Sequence, residues 1–353
     1  MATYKIAVIA GDGVGQEVVP VAKRVIAALE ARYGFALKYT DTPWGSDYYL
    51  AHGRMAPANF LDQLRGHDAI LLGAVGHAKV PDHVTLNGLL LPIRRGFDQY
   101  ANIRPAKLYA GVKSPLALRR GEAIDLVVVR ENTEGEYAQI GGFVYHEQPE
   151  EVAVQTSVFT RRGVDRIVRQ AFELARKRGG KRRVTSVTKS NAQGYSMVLW
   201  DRAFAGVAEQ YPDIETESLL VDAAAMNFIR RPESFDVVVA SNLFGDILSD
   251  ISAMIVGSMG LAPSANLNPE RVYPSMFEPV HGSAPDIAGK GIVNPLATFL
   301  CCGQMLEHLG EAAAARDLER AIARVLAETP VRSPDLGGTS STDEVTDAII
   351  AVI

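Results

Sequence analysis

Charged and hydroxyl side chains at widely separated positions of this chain are of types that together suit one kind of chemistry. They are Arg94, Arg104, Arg130, Tyr137, Lys189, Asp222, Asp246 and Asp250. The last two lie four residues apart in a segment of helical periodicity, so both carboxylates project from one face and can bind one hard divalent cation. Because guanidinium groups pair with carboxylates through two parallel hydrogen bonds, the arginines indicate a ligand with several acid groups.

Composition narrows the class of protein. The chain has 353 residues, 47% of them hydrophobic, which is enough for two ordinary domains with their own cores. A net charge of −5 gives no general attraction to nucleic acid or to a membrane surface. The neighbouring Cys301 and Cys302 cannot form a disulfide framework, and apolar runs are interrupted by charge before about 18 residues. We therefore expect a cytoplasmic protein with a small-molecule partner, and with no nucleic-acid or membrane partner.

Apolar runs rich in β-branched residues alternate with helical stretches, which predicts an α/β fold with a largely parallel sheet. The first strand is expected at Lys5–Ala10, followed by a glycine turn and a helix over Glu17–Ala31. Further strands are expected to end at Leu72, Arg130, Lys189, Asp222 and Ala240. Ligands of such sheets bind at the carboxyl ends of the strands, and several of the residues named above occupy those ends.

The stretch from Glu136 to Thr160 departs from this alternation, since two extended segments follow each other without a helix between them. This pattern predicts an arm or a hairpin. A protruding hairpin has unpaired edges unless another chain covers them, which favours a dimer. A hairpin folded onto its own sheet remains an alternative. The basic run Lys177–Arg183 lies between a helix and a strand and is typical of a solvated turn.

The glycine loop Gly11–Gly15 resembles a dinucleotide fingerprint only in part. Gln16 stands where the third glycine belongs, and the acidic partner would have to be Asp41. A Rossmann fold stays open as an alternative because Asp41 is available. A tight turn from strand to helix is the favoured interpretation.

Four longer motifs carry a resemblance that covers essentially the whole chain in order. They are Tyr100–Pro105, Val129–Tyr137, Asn242–Asp250 and Glu278–Pro295. Together they resemble the metal-dependent β-decarboxylating dehydrogenases of isocitrate, 3-isopropylmalate, homoisocitrate, tartrate and D-malate. The stretches Pro81–His83 and Trp44–Tyr49 are similar to the tartrate and D-malate branch.

The resemblance implies a fold of two α/β domains that is not a Rossmann fold, with a protruding β arm for dimerisation. Residues 1–97 and 252–353 would form the large, discontinuous cofactor-binding domain. Residues 98–251 would form the small substrate and dimerisation domain, including the arm at about 136–160.

The resemblance also implies roles for the residues named at the outset. Arg94, Arg104 and Arg130 would bind the acid groups of a small dicarboxylic acid. Asp222, Asp246 and Asp250 would bind Mg²⁺ or Mn²⁺, and K⁺ activation is common among similar enzymes. Lys189 would accept the hydroxyl proton during oxidation, and Tyr137 would protonate the enol left after loss of CO₂. In related enzymes the counterparts of Lys189 and Asp222 come from the neighbouring subunit, which implies a homodimer with shared active sites.

The loop after Val280 implies the choice of cofactor. Its expected contacts are His281, Gly282, Ser283, Ala284, Asp286, Ile287 and Asn294. Asp286 occupies the family position that meets the adenosine ribose, where a carboxylate accepts hydrogen bonds from hydroxyls and repels a 2′-phosphate. NAD is therefore favoured over NADP. Ile287 would pack on the adenosine, and Asn294 is similar to the residue that reads the adenine edge.

The sequence determines the identity of the acid less closely than the cofactor. The resemblance implies that three residues meet the third carbon of the acid, namely Asn87, Leu90 and Leu91. The leucines argue against the third carboxylate of isocitrate but also suit an isopropyl group. Asn87 departs from the tryptophan of the tartrate branch and from the glutamate of isopropylmalate enzymes. D-malate or tartrate is favoured, with 3-isopropylmalate as the alternative.

Two other classes of function fit parts of the sequence less well. One is an inactive nucleotide- or metal-binding homologue, which is disfavoured because each expected catalytic position holds a competent residue. The other is a phosphoryl transferase, which is disfavoured because no Gly-x-x-x-x-Gly-Lys-Ser/Thr loop is present in the sequence.

Overall fold

The computed structural model describes residues 2–118 and 123–353. Its strands are β1 (Ala2–Gly11), β2 (Phe35–Thr42), β3 (Ala69–Ala74), β4 (Ala101–Lys107), β5 (Asp125–Glu131), β6 (Gly135–Val144), β7 (Val152–Val158), β8 (Arg183–Thr188), β9 (Glu215–Leu220), β10 (Val237–Ala240), β11 (Pro263–Leu267) and β12 (Ser275–Pro279). Its helices are α1 (Gly15–Tyr33), α2 (Ser46–His52), α3 (Phe60–Arg65), α4 (Asp82–Thr85), α5 (Leu91–Gly96), α6 (Arg161–Arg178), α7 (Ser196–Ala208), α8 (Val221–Arg230), α9 (Asn242–Ile255), α10 (Leu296–Leu309), α11 (Ala312–Glu328) and α12 (Thr342–Val352).

The chain divides into two compact units. Unit 1 comprises Met1–Gln99, Arg104–Ile124 and Ser252–Ile353, and unit 2 comprises Tyr100–Ile103 and Asp125–Ile251. The expected division placed all of 98–251 in the small domain, so the segment Arg104–Ile124 differs from that expectation. Its described residues are held within unit 1, because Ser114 Oγ donates to Ile255 O at 2.6 Å and Val112 lies close to Gly257.

Unit 1 contains strands in the order β2, β1, β3, β12, β11. β1 runs parallel to β2 and β3, β12 runs parallel to β3, and β11 pairs antiparallel with β12. The four residues Ile6–Ile9 of β1 are all fully buried, as expected for a parallel strand covered on both faces. Helices α1, α10, α11 and α12 pack against one another in the same unit.

Unit 2 contains the parallel strands β5, β10, β8 and β9, with β9 at the edge. Helices α6 and α7 pack together, and α6 contacts β5, β10 and β8. Strands β6 and β7 form a separate antiparallel sheet. Residues 139–157 are all exposed, among them Phe143 and Tyr145. This hairpin is not folded onto the larger sheet, so the prediction of an arm is confirmed and the alternative is wrong.

The predicted α/β class with two units and a largely parallel sheet is also confirmed. The strands expected before Arg130, Lys189 and Ala240 are β5, β8 and β10, and the first predicted helix is α1. The loop Gly11–Gly15 is a tight turn, because Gly11 and Gly13 have φ angles of 71° and 51° and Asp12 N donates to Ala74 O at 2.8 Å. Within the described residues, no helix has both the length and the hydrophobicity needed to cross a bilayer.

Candidate active site

Arg130, at the end of β5, binds the first turns of α9. Its Nε and Nη2 donate to Asn242 Oδ1 at 3.0 and 2.7 Å, and its Nη1 donates to Asp246 Oδ1 at 2.5 Å. A Cβ atom at Gly245 would lie 2.7 Å from Arg130 Cβ and Cγ, so glycine at 245 lets the arginine lie against the helix. The guanidinium is therefore fixed in direction by residues of the same unit.

Tyr137 meets the same carboxylate from β6. Its hydroxyl donates to Asp246 Oδ2 at 2.9 Å, and the Arg130 guanidinium lies 5.4 Å from its ring centroid. Asp246 thus accepts from an arginine through one oxygen and from a tyrosine through the other. The structure brings Arg130 and Tyr137, which belong to one motif, together with Asp246, which lies 116 positions after Arg130 and 109 after Tyr137.

Glu136 ties Tyr137 to the start of α9. Its two carboxylate oxygens accept from Ser241 Oγ at 2.8 Å and from Leu243 N at 3.1 Å. The first N–H groups of a helix have no partner inside the helix, and an anion there also interacts favourably with the helix dipole. Glu136 therefore caps the helix that carries Asp246 and Asp250 and fixes its position relative to β6.

The two aspartates of α9 fit a hard divalent ion as part of a ligand set. Asp246 is half-buried and Asp250 exposed, one helical turn apart, and their oxygen donors suit Mg²⁺ or Mn²⁺. In the part of the chain that the structure describes, no group of three or more His, Cys, Asp or Glu side chains is placed to hold an ion. Asp222 therefore does not join Asp246 and Asp250 within one copy of the chain.

Lys189 and Asp222 are brought together at the edge of the unit 2 sheet. The parallel strands β8 and β9 end with Thr188 opposite Leu220, so the residues that follow them are neighbours. Lys189 Nζ donates to Asp222 Oδ1 at 2.7 Å, and this hydrogen bond lowers the pKa of the Asp222 carboxyl. The pair is open to solvent, with side-chain exposures of 28% and 59%.

Glu131 is a buried carboxyl next to Arg130 in sequence. Its oxygens accept from Thr133 N at 3.0 Å, Thr133 Oγ1 at 2.8 Å and Glu134 N at 2.9 Å. Burial raises its pKa to about 7, although these hydrogen bonds favour the charged form. Glu131 thus shapes the turn between Arg130 and Tyr137 and titrates near neutral pH.

In unit 1, Arg94 forms a buried ion pair with Glu278 of β12. The Nη2 to Oε1 distance is 2.6 Å, and both side chains are 7% exposed. Asn266 Nδ2 donates to the same oxygen at 2.8 Å. Arg94 Nε is buried without a hydrogen-bond partner among the described residues, so the guanidinium keeps one unused donor. Arg104 on β4 is also buried.

The residues expected to meet the third carbon of the acid differ in exposure. Asn87 is exposed in a single π-helical turn, Leu86–Leu90, between α4 and α5. Leu90 and Leu91 are both buried, and Leu90 belongs to a core cluster that includes Trp44 and Ile93. The two leucines therefore contribute to packing in unit 1, and Asn87 is the one of the three that solvent reaches.

A pocket of about 630 Å³ lies in unit 1 beside the expected cofactor loop. It is lined by residues 75–82 together with Gly282, Ser283 and Pro285. This volume is in the usual range for small-molecule sites. His281 Nε2 is buried without a hydrogen-bond partner in the described part of the chain, and burial lowers the pKa of the imidazole. A neutral imidazole with an unused nitrogen and a pocket of this size fit part of a nucleotide.

The other expected cofactor residues follow in the loop and beyond it. Ser283 is buried, Ala284 and Ile287 are half-buried, and Gly282 and Asp286 are exposed. Asn294 is buried and makes two hydrogen bonds, since its Nδ2 donates to Asp335 Oδ2 at 2.9 Å and its Oδ1 accepts from Leu296 N at 3.1 Å. Its side chain is thus held in place within unit 1.

Buried Asp12 also supports the pocket, and its function was not predicted. Its carboxylate accepts from Ser46 N at 2.7 Å, from Ser46 Oγ at 2.6 Å and from Gly76 N at 2.8 Å. It therefore joins the turn after β1 to one wall of the pocket. The acidic residue inside the motif Gly11–Gly15 was the available signal in the sequence.

Comparisons with known proteins agree with these motifs. Residues 5–349 match the family described as isocitrate/isopropylmalate dehydrogenase. The chain belongs to this family. Its similarity to a probable tartrate dehydrogenase/decarboxylase of Agrobacterium vitis is 52% identity, covering 100% of this chain and 98% of the relative. The D-malate dehydrogenase (decarboxylating) of Escherichia coli K12 is 51% identical, with 100% and 99% covered.

A solved structure supports the family fold. The crystal structure of isocitrate dehydrogenase from Methylococcus capsulatus matches with a TM-score of 0.89 and 36% identity, covering 99% of both chains. The predicted isocitrate/isopropylmalate dehydrogenase fold and the predicted similarity to the tartrate and D-malate branch are confirmed. The prediction of an enzyme, a decarboxylating oxidoreductase, is confirmed as well.

Proposed function

We propose that this member of the isocitrate/isopropylmalate dehydrogenase family oxidises and decarboxylates a small 2-hydroxy dicarboxylic acid with NAD and a divalent metal. The substrate is D-malate, giving pyruvate and CO₂, or tartrate. The observation that carries this proposal is the convergence of Arg130 and Tyr137 on Asp246. It brings three proposed functional groups together within one unit: Arg130 as the cation for a substrate carboxylate, Tyr137 as the proton donor and Asp246 as a metal ligand.

The arginines bind and orient the acid in this account. Arg94, Arg104 and Arg130 are buried, so their charges lie in a medium where pairing with a carboxylate is stronger than in water. Arg130 is held rigidly by Asn242, and a rigid guanidinium selects one orientation of the substrate. The unused Nε of Arg94 is a further donor for an acid group.

Asp246 and Asp250 of one copy and Asp222 of a second would hold Mg²⁺ or Mn²⁺, which would acidify the substrate hydroxyl and stabilise the negative charge left by loss of CO₂. The loop at residues 281–291 would hold NAD, which would supply the acceptor for the hydride. Lys189 accepts the hydroxyl proton when its Nζ is the neutral amine, and Asp222 keeps the lysine Nζ directed through their hydrogen bond. Tyr137 then donates its proton to the enol carbon. The capped start of α9 holds Tyr137 beside Asp246 for this step.

Two features support a homodimer with shared sites. The arm formed by β6 and β7 exposes apolar side chains, including Phe143 at 60% and Tyr145 at 59%. The pair Lys189–Asp222 is exposed, although the proposed chemistry needs it beside a substrate. A second copy would cover both. Cys301 and Cys302 are buried free thiols, which fits the proposed cytoplasmic location. The family resemblance supports K⁺ as a further cofactor.

Asp286 carries the proposed preference for NAD. Its carboxylate is exposed in the loop 281–291, where it can accept hydrogen bonds from ribose hydroxyls and repel a 2′-phosphate. Changing Asp286→Lys together with Ile287→Tyr should lower kcat/KM for NAD and raise it for NADP, each by about tenfold or more. Steady-state kinetics with both cofactors measure this, and an unchanged preference would remove Asp286 from the account.

The substrate is tested by the initial rate of NAD reduction with Mn²⁺ and K⁺ present. D-malate, L-tartrate, meso-tartrate, 3-isopropylmalate and isocitrate should be compared by kcat/KM. The highest kcat/KM with D-malate or tartrate supports the proposal. The highest kcat/KM with 3-isopropylmalate would instead support the alternative expected from the sequence, in which Leu90 and Leu91 meet an isopropyl group, although both leucines are buried in this structure. The absence of reduction with every acid would support the inactive homologue.

A further inference from the structure

The segment Gly11–Glu17 joins β1 to α1 and has no role in the reaction proposed above. It contacts the loop at residues 281–291 at two points. Val14 N donates to Ser283 O at 2.9 Å. The Glu17 carboxylate accepts from Gly289 N with one oxygen and from Gly291 N at 3.1 Å with the other. The two contacts lie on either side of Asp286.

The geometry at Glu17 is specific to the loop. A glutamate in the first turn usually interacts with its own helix, but each oxygen of Glu17 accepts from a different loop N–H. Gly289 and Gly291 have φ angles of 77° and 66°, and a Cβ atom at either would meet nothing within 4 Å. Glycine is therefore required there by backbone conformation and not by space. This conformation directs both N–H groups to one carboxylate.

Between the two contacts, the loop forms a compact turn. Ile287 N and Ala288 N both donate to Ala284 O at 3.1 Å. Ala284, Ile287 and Ala288 pack on a small apolar cluster made by Val14, Val18, Ala74 and Val293. Asp286 lies exposed on this turn. The direction of its carboxylate therefore depends on the two contacts that hold the turn from either side.

We propose that Glu17 is a positioning residue that holds the adenosine-binding loop in place without touching the nucleotide. This inference rests on the proposed binding of NAD by that loop. Glu17 fixes the carboxyl-terminal side of the turn, and the hydrogen bond from Val14 fixes the other side. Without Glu17, the loop becomes ordered only when the nucleotide binds. The entropy cost of this ordering lowers the affinity for the adenosine half of the nucleotide.

Three variants test the proposal in the full-length enzyme. Glu17→Ala removes both hydrogen bonds, and Glu17→Gln keeps one acceptor oxygen. Glu30→Ala is the matched control, because Glu30 lies in the same helix and its carboxylate also accepts a backbone N–H, from Leu37 of β2. Calorimetry should measure the Kd for NADH and for ADP-ribose, and hydrogen–deuterium exchange should follow residues 281–291.

The expected loss of ADP-ribose affinity is about tenfold for Glu17→Ala and about threefold for Glu17→Gln, with Glu30→Ala within about twofold of the parent. KM for NAD should rise in Glu17→Ala while kcat and KM for the acid stay within about twofold. Exchange at 289–291 should become faster in Glu17→Ala, faster to a smaller extent in Glu17→Gln, and unchanged in Glu30→Ala.

Unchanged ADP-ribose binding in Glu17→Ala would overturn the proposal. So would an equal loss in Glu17→Ala and Glu30→Ala, since that result assigns the effect to general stability. If the parent enzyme binds neither NADH nor ADP-ribose, the cofactor assignment fails. Exchange then decides the role of Glu17 by itself, because faster exchange at 289–291 supports the contact and unchanged exchange contradicts it.

Discussion

Two ion pairs of unit 2 join residues with proposed roles in catalysis. The two pairs differ in how much of their side chains is exposed to solvent in a single chain. In the first, the Arg130 side chain is 2% exposed and Asp246 is 34% exposed. In the second, Lys189 is 28% exposed and Asp222 is 59% exposed. Asn242 and Tyr137 complete the first network within one copy, whereas the second pair lies in solvent at the edge strand. We infer that the first region is built by one chain and the second is completed by another.

Lys189→Ala has the largest expected effect. Loss of the proposed base should lower kcat by about a thousandfold, while the free energy of unfolding should change by less than about 1 kcal/mol because the pair is exposed. Steady-state rates and chemical denaturation measure the two quantities. Lys23→Ala is the matched control, since Lys23–Asp41 is an ion pair of similar exposure, 25% and 67%. Full activity in Lys189→Ala would exclude its role as the base.

Arg130→Met should act on stability as well as on activity. It leaves Asn242 Oδ1 and Asp246 without their buried cationic donor, which should cost about 3 kcal/mol of unfolding free energy. KM for the acid should also rise. Arg183→Met is the comparison, because Arg183 pairs with the exposed Glu215 in the same unit. This substitution should lower the free energy of unfolding by less than about 1 kcal/mol. Equal losses in the two variants would contradict the contrast between the regions.

The two regions should also respond differently to pH. The raised pKa of Glu131, about 7, means that the folded state holds a proton that the unfolded state releases above its ordinary value of 4.5. Stability from this group is present below pH 4.5 and falls by a few kcal/mol as pH rises toward 7. Asp222 has a lowered pKa, so its contribution is present above pH 3.8 and is lost only at lower pH.

Denaturation of the parent and of Glu131→Gln between pH 4.5 and 8 measures this smaller effect. The parent should lose stability relative to the variant as pH rises through this range, because glutamine does not titrate. Parallel pH profiles for the two proteins would show that Glu131 is already ionised at low pH in the folded state.

Much of the fold was predictable from the local pattern of apolar and polar residues. The apolar runs before Arg130, Lys189 and Ala240 are strands, and the segment holding Asp246 and Asp250 is helical. These features depend on residues close together in sequence, where periodicity is visible. The division into units was less well predicted, because the placement of Arg104–Ile124 depends on contacts such as that of Ser114 with Ile255.

The supports of the site were not predictable from local pattern. Glu136 caps a helix that begins more than a hundred residues later, and Arg94 pairs with Glu278 across 184 positions. Glu17 and Asp12 lie in a glycine motif whose sequence suggests only a turn. In each case a carboxylate binds backbone or side-chain groups that are distant in sequence, so no periodicity or spacing reveals the partner.

The sharing of one active site between two copies is tested most directly by subunit complementation. Lys189→Ala and Asp250→Ala should each be inactive alone. A heterodimer purified through two different tags pairs the intact Asp246–Asp250 of one copy with the intact Lys189–Asp222 of the other. It should recover about half of the parent activity, since one of its two sites is complete. A heterodimer as inactive as either variant alone would contradict the sharing of sites.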